Sequence, residues 1–199
     1  IIYGEEDGMK FVTFEKDDET KIGVMLESDS MIVDLHQVQL KVEGKADLPN
    51  TLLACIQLGE AFVERSKRLM EWAEENPKQE YVYPLDQVTL LAPIPRPSKN
   101  IVCLGKNYAA HALEMGSADD IPKYPMVFSK APTSVTGPYS PIYRHKHLTD
   151  SLDYEGELAV VIGKKGFRIN KEEALDYVFG YTIINDVTAR DLQKRHQQF

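Results

Sequence analysis

The stretch Ala92-Pro93-Ile94-Pro95-Arg96-Pro97 places three prolines in six residues. Each proline lacks a backbone N–H and drives the residue before it out of the helical region. Neither a helix nor a central strand can run through such a stretch. The chain is therefore expected to fold as two parts, 1–92 and 93–199, joined by a stiff extended connector. With 199 residues, 43% of them hydrophobic, there is enough chain to bury a real core.

The first part reads as a small α+β unit. Lys10–Glu15, Lys21–Glu27 and Met31–Asp34 are short alternating runs between polar turns, the pattern of strands. Leu52, Leu53, Ile56 and Leu58, then Phe62, Val63, Leu69, Met70 and Trp72, recur at helical spacing. They predict two helices joined near Gly59, with the apolar residues of 62–72 as core. In the second part, Asn100–Leu104, ended by Gly105, predicts a buried strand, and Tyr108–Met115 a short helix. Residues 116–150 predict loops with brief strands. Leu158–Gly163 predicts a second buried strand. The Asn170/Glu173 pair predicts a capped helix start running to about Val178. Phe179–Asn185 reads as another strand and Thr188–Gln198 as a helix.

The formal net charge of −8 argues against a nucleic-acid partner, and the basic cluster Lys194-Arg195-His196 is too short to reverse it. No apolar run approaches the roughly 18 residues of a membrane span. No secretory signal pattern is present either. Cys55 and Cys103 are far apart in sequence and sit in apolar runs, so they read as buried reduced thiols. The expected location is cytoplasmic. Residue 1 is Ile, Met9 reads as a more natural start, and no terminating signal follows the last helical run. Part of the domain is therefore expected to lie beyond Phe199.

Three groups of residues could carry chemistry. In Asp153-Tyr154-Glu155-Gly156-Glu157, side chains two apart in an extended chain point the same way, so Glu155 and Glu157 converge. Paired carboxylates repel, and a cation relieves the repulsion; the plainer alternative is a solvated strand edge. Asp186, after the run Phe179–Ile184, either caps the next helix or completes a three-carboxylate oxygen site suited to Mg²⁺ or Mn²⁺. His111 and Glu114, three apart on a helix, form either a general-base pair or a surface histidine with a charged neighbour. Lys106, Tyr108, Lys130, Arg190 and Gln193 are polar groups that could meet a substrate carboxylate. His145 and His147 read as structural or solvent-facing.

In combination, the runs Ile101–Tyr108, His111 with Glu114, Phe128–Lys130, Asp153–Gly163 and Gly180–Arg190 resemble the fumarylacetoacetate hydrolase family in the same order. The likeness covers residues 98–199. The N-terminal unit and the segment 191–199 further resemble a Bacillus subgroup with oxaloacetate decarboxylase activity. The resemblance implies a mixed β-roll catalytic domain preceded by a small α+β domain, assembled as a homodimer. It implies Glu155, Glu157 and Asp186 as ligands of Mg²⁺ or Mn²⁺, and His111 and Glu114 as the catalytic dyad. It implies Arg190 and Gln193 as lining of the substrate pocket, with Lys130 and Tyr108 beside it. Lys106 stands where many relatives carry arginine. Relatives also place a Gly-Lys-Ser segment with an active-site lysine soon after the position of Phe199.

The expected activity is C–C bond cleavage of a small 2-oxo acid, by an oxaloacetate decarboxylase or an acylpyruvate hydrolase. A cation chelated by the acid would stabilise an enolate common to both reactions. The alternatives are hydration or isomerisation of unsaturated 2-oxo diacids, or a catalytically weak scaffold protein of the same fold.

Overall fold

A computed structural model of the chain describes residues 1–4, 8–26, 28, 30–78, 80–108 and 122–196. They divide into two compact units. The first comprises 1–95, 136–141 and 156–185, and the second 96–135, 142–155 and 186–199. The chain thus leaves the first unit within the proline-rich stretch and returns to it twice.

The first unit is built on one sheet. Its strands are β1 (Ile2–Gly4), β2 (Lys10–Lys16), β3 (Glu19–Met25), β4 (Met31–Asp34), β5 (Val82–Pro84) and β6 (Thr89–Leu90). Two strands from residues 156–185 join them. The helices are α1 (Leu35–Glu43), α2 (Leu52–Ile56) and α3 (Glu60–Glu75). The strands at 10–34 and the two helices meeting at Gly59 are those the sequence pattern predicts. Gly59 precedes α3 with φ 63°, a left-handed conformation that glycine adopts without steric cost. Helix α1 goes beyond the sequence reading. Asp34 caps it, its Oδ1 accepting from His36 N at 3.0 Å and Gln37 N at 3.1 Å.

Phe11, Phe62 and Phe179 pack their rings together at centroid distances of 5.0, 5.5 and 6.3 Å. Around them lie the buried Ile22, Val24, Leu35, Leu52 and Leu69. Next to this core is a closed polar knot. Buried Gln39 accepts from Asp47 N at 3.0 Å and Leu48 N at 3.1 Å, and donates to Glu43 at 3.0 Å and Asp47 at 2.6 Å. Arg65 completes it through Glu43 and Asp47. Cys55 is buried here and not in a disulfide, and burial pushes its thiol up to about 12.

In the second unit, β7 (Ile101–Gly105) pairs antiparallel with β8 (Met126–Lys130), and β9 (Leu152–Asp153) pairs with a strand near the end of the chain. The remaining strands are β10 (Gly156–Ile162) and β11 (Val178–Asn185) of the first unit and β12 (Thr188–Ala189) of the second; α4 (Arg190–His196) follows. The first unit's main sheet path runs β10-β11-β1-β2-β3-β4-β5, with β6 also on β2. Gly180 on β11 faces Gly4 on β1, where an added Cβ would sit 2.1 Å from the Tyr3 carbonyl oxygen.

Three expectations need correction. β7 and β10 are not buried strands: Val102 is 70% exposed, and Leu158 and Ile162 are about as open, at 59% and 61%. An apolar run predicts a strand by its length but does not say how many of its faces are covered. The helix expected from Asn170 is instead two short 3₁₀ turns, Lys171–Glu173 and Leu175–Tyr177. Asn170 binds the Glu173 side chain at 3.1 Å and caps no backbone N–H. The last helix starts at Arg190 because Thr188 and Ala189 are held in β12. Among the described residues, no helix is long and apolar enough to cross a membrane.

Candidate active site

The second unit gathers the charged residues that the sequence singles out. β9 and β12 form a short ladder in which Thr188 faces Asp153 and Ala189 faces Leu152. Arg190 follows at the end of β12, and its backbone N–H donates to the Ser151 carbonyl at 2.9 Å. The register therefore delivers the Arg190 guanidinium beside the carboxylates at 153 and 155. Its Nε donates to Asp153 Oδ2 at 2.9 Å, and its Nη1 lies 2.8 Å from Glu155 Oε1. Nη1 also reaches Gln193 Oε1 at 3.3 Å, one helical turn on. A planar fork with partners on both edges has its direction fixed more firmly than a lysine would.

Asp186 is the most enclosed of these acids, 8% exposed. Its backbone N–H donates to the Glu155 carbonyl at 2.8 Å, which sets the two acidic residues side by side. Its Oδ1 is shut off from solvent, and its partner is the Lys130 ammonium at the end of β8. Asp186 does not cap the following helix, since β12 intervenes. Asp191 lies in the first turn of that helix, and its carboxylate accepts from Leu192 N at 2.9 Å. The buried Thr149 hydroxyl, 2.5 Å from Asp191, holds that carboxyl below the usual range, and the Leu192 and Asp150 N–H groups act in the same sense.

Lys130, Glu155, Asp186, Arg190 and Gln193 thus lie within one unit, joined by the contacts given. Glu157 is half-buried on β10 and belongs to the other unit. Tyr108 is exposed on the segment after β7. His111 and Glu114 lie outside the described residues. His145 and His147 are exposed, with ring centroids 6.3 Å apart. Asp153, Thr149 and Asp191 are the residues that sequence reasoning missed as parts of this arrangement. An acid at the first turn of a terminal helix was the available signal for Asp191. The two-residue spacing of Asp153 and Glu155 was the signal for Asp153, and nothing in local spacing marks Thr149.

Among the described residues, no three His, Cys, Asp or Glu side chains are gathered as a metal cage. The donors present are nonetheless of the kind a hard dication takes. Glu155 and Asp186 are joined through a backbone hydrogen bond, and Asp186 Oδ1 is a buried oxygen met by the Lys130 ammonium.

Glu155, Asp186, Arg190, Gln193 and Lys130 thus form one charged arrangement in the second unit. The chain belongs to the fumarylacetoacetate hydrolase family: residues 100–199 match the domain described as fumarylacetoacetate (FAA) hydrolase C-terminal. It is 52% identical over 194 residues to oxaloacetate tautomerase YisK of Bacillus subtilis, covering 96% of this chain and 64% of that protein. An uncharacterised protein of Staphylococcus aureus is 40% identical over 193 residues, again covering 96% of this chain and 63% of its own length. Among solved structures, the fumarylacetoacetate hydrolase of Exiguobacterium antarcticum superposes with a TM-score of 0.69 at 42% identity, over 96% of this chain and 60% of that one. The chain therefore spans somewhat less than two thirds of the relatives it matches.

Proposed function

We propose that this chain is part of a Mg²⁺- or Mn²⁺-dependent enzyme that moves a proton at the carbon next to the ketone of a small 2-oxo acid, with oxaloacetate as the first candidate. The observation that carries the reading is the pairing of Glu155 and Asp186 with Arg190 and Lys130, two anionic and two cationic groups held together. A bound dication, chelated by the acid's carboxylate and keto oxygens, would lower the cost of negative charge on the keto oxygen. Glu155 and Asp186 would hold it. Arg190 offers a planar fork for a carboxylate, Gln193 a neutral donor beside it, and Lys130 a point charge. His111, oriented by Glu114, is the proposed proton carrier.

The name of the Bacillus relative favours keto–enol tautomerisation as the outcome. In that reaction a proton leaves the carbon and one is added to the keto oxygen, with no C–C bond broken. Loss of CO₂ from oxaloacetate and hydrolysis of an acylpyruvate would each release the enolate of pyruvate instead of the enolate of oxaloacetate; a dication held here would stabilise either, so both remain readings of this site. A homodimer in the cytoplasm is proposed as the working form.

The test uses the full-length protein with Mn²⁺, with and without EDTA. It follows enol absorbance and CO₂ release from oxaloacetate, and acetylpyruvate consumption. Chelator-sensitive enol conversion without CO₂ release supports the tautomerase reading. Chelator-sensitive CO₂ release or acetylpyruvate cleavage moves the assignment to decarboxylase or hydrolase. No change in any substrate with folded, metal-loaded protein overturns the proposal.

A further inference from the structure

Lys130 and Arg190 lie against oxygens that a cation would use. Lys130 forms an ion pair with Asp186 Oδ1, and Arg190 Nη1 lies 2.8 Å from Glu155 Oε1. Together the two side chains carry the same formal charge as a divalent ion. A dication sits about 2.1 Å from its oxygen ligands, so an ammonium and a metal cannot share the inner side of one carboxylate oxygen. Their mutual repulsion adds to the exclusion.

The two cations are not held alike. Arg190 has further anchors in Asp153 at 2.9 Å and Gln193 at 3.3 Å, so it can lose Glu155 and stay in place. Lys130 is a flexible stem ending in a point charge. Among the described residues, its Nζ also lies 6.0 Å from the Phe128 ring centroid. Asp186 Oδ1 is shut off from solvent, so leaving it uncompensated would be costly.

We propose that Lys130, with Arg190, serves as a built-in counter-ion that neutralises Asp186 and Glu155 in the metal-free protein and is displaced from Asp186 when the cation binds. Lys130 then sets the metal affinity, because every binding event has to break its ion pair. This rests on the reading of Glu155 and Asp186 as metal ligands.

The test is calorimetric titration of Mn²⁺ and Mg²⁺ into metal-free full-length protein at fixed ionic strength, for the wild type, Lys130→Met, Lys130→Arg and Glu155→Ala. Thermal melts with and without metal accompany it. Lys130→Met is expected to bind Mn²⁺ about tenfold more tightly, a shift of about 1.4 kcal/mol. It should melt lower than the wild type without metal, so its metal-induced rise in Tm is the larger. Lys130→Arg keeps the charge and should stay near the wild type. Equal or weaker binding by folded Lys130→Met overturns the counter-ion role. If the Met variant does not fold, Lys130→Gln gives the same comparison. If the wild type itself binds neither ion, the metal reading fails and this inference falls with it. Tight wild-type binding that is lost in Glu155→Ala but unchanged in Lys130→Met sinks the inference and leaves the metal reading standing.

Discussion

The two units use their polar groups in opposite ways. In the first, charged and polar side chains close on the fold itself: Gln39 satisfies two backbone N–H groups, and Arg65 locks Glu43 and Asp47 around it. In the second, the polar side chains of Lys130, Asp153, Glu155, Asp186 and Arg190 pair with one another. The hydrophobic contrast runs the same way. Among the described residues, every fully buried apolar side chain belongs to the first unit, and the buried residues of the second are Thr149 and Asp186. One unit is held by a core with a polar clasp. The other carries these charged groups in a set of ion pairs.

The largest effect that would sharpen this contrast is expected for Glu155→Ala. Turnover should fall by a factor of about 1,000 or more. The denaturation midpoint should move little, because Arg190 keeps Asp153. A large stability loss in that variant would make Glu155 structural and erase the distinction. Next is Phe11→Ala, which removes the ring shared by Phe62 and Phe179. It should cost about 3–5 kcal/mol in denaturant titrations. Gln39→Leu leaves the Asp47 and Leu48 N–H groups without their acceptor and should cost about 2 kcal/mol. A cost near zero would mean that the clasp is ornamental.

The smallest effect is on pH dependence. Arg65, then Gln39, hold Glu43 below its ordinary value, and Lys45 leads the groups that lower Asp47. Both acids bind protons more weakly folded than unfolded. Their contribution is therefore full above the unfolded carboxylate range, near pH 4, and is lost as pH falls through the lower folded values. Denaturant midpoints should hold between pH 7 and about pH 5 and decline below about pH 4. Arg65→Met should make that decline shallower.

Legibility in the sequence followed the range of the interactions. The strands at 10–34 and the helix pair hinged at Gly59 depend on local periodicity, and the pattern shows them. Helix α1 escapes the pattern because Asp34 both ends a strand and caps the helix. The return of 156–185 to the first unit is invisible to local pattern, because no spacing tells a strand which sheet it will join. At the site, Glu155, Asp186, Arg190 and Lys130 stood out through motif likeness. Their pairing did not, since Lys130 and Asp186 are far apart in sequence. The anchoring of Arg190 by Asp153 follows from the β9–β12 register, which two-residue strands do not announce.

The place of β1 in the sheet has a consequence for how the protein is made. Ile2–Gly4 lies between β2, which follows at once, and β11, made of residues 178–185. As the chain emerges from the ribosome, one edge of β1 waits for a partner for on the order of ten seconds at ordinary elongation rates. Phe179 arrives with that partner, so the Phe11–Phe62 contact also waits for its third ring. An open strand edge beside an unfinished core is where a nascent chain is most easily captured by another chain. Until residue 185 emerges, this sheet therefore carries an unpaired edge beside its core.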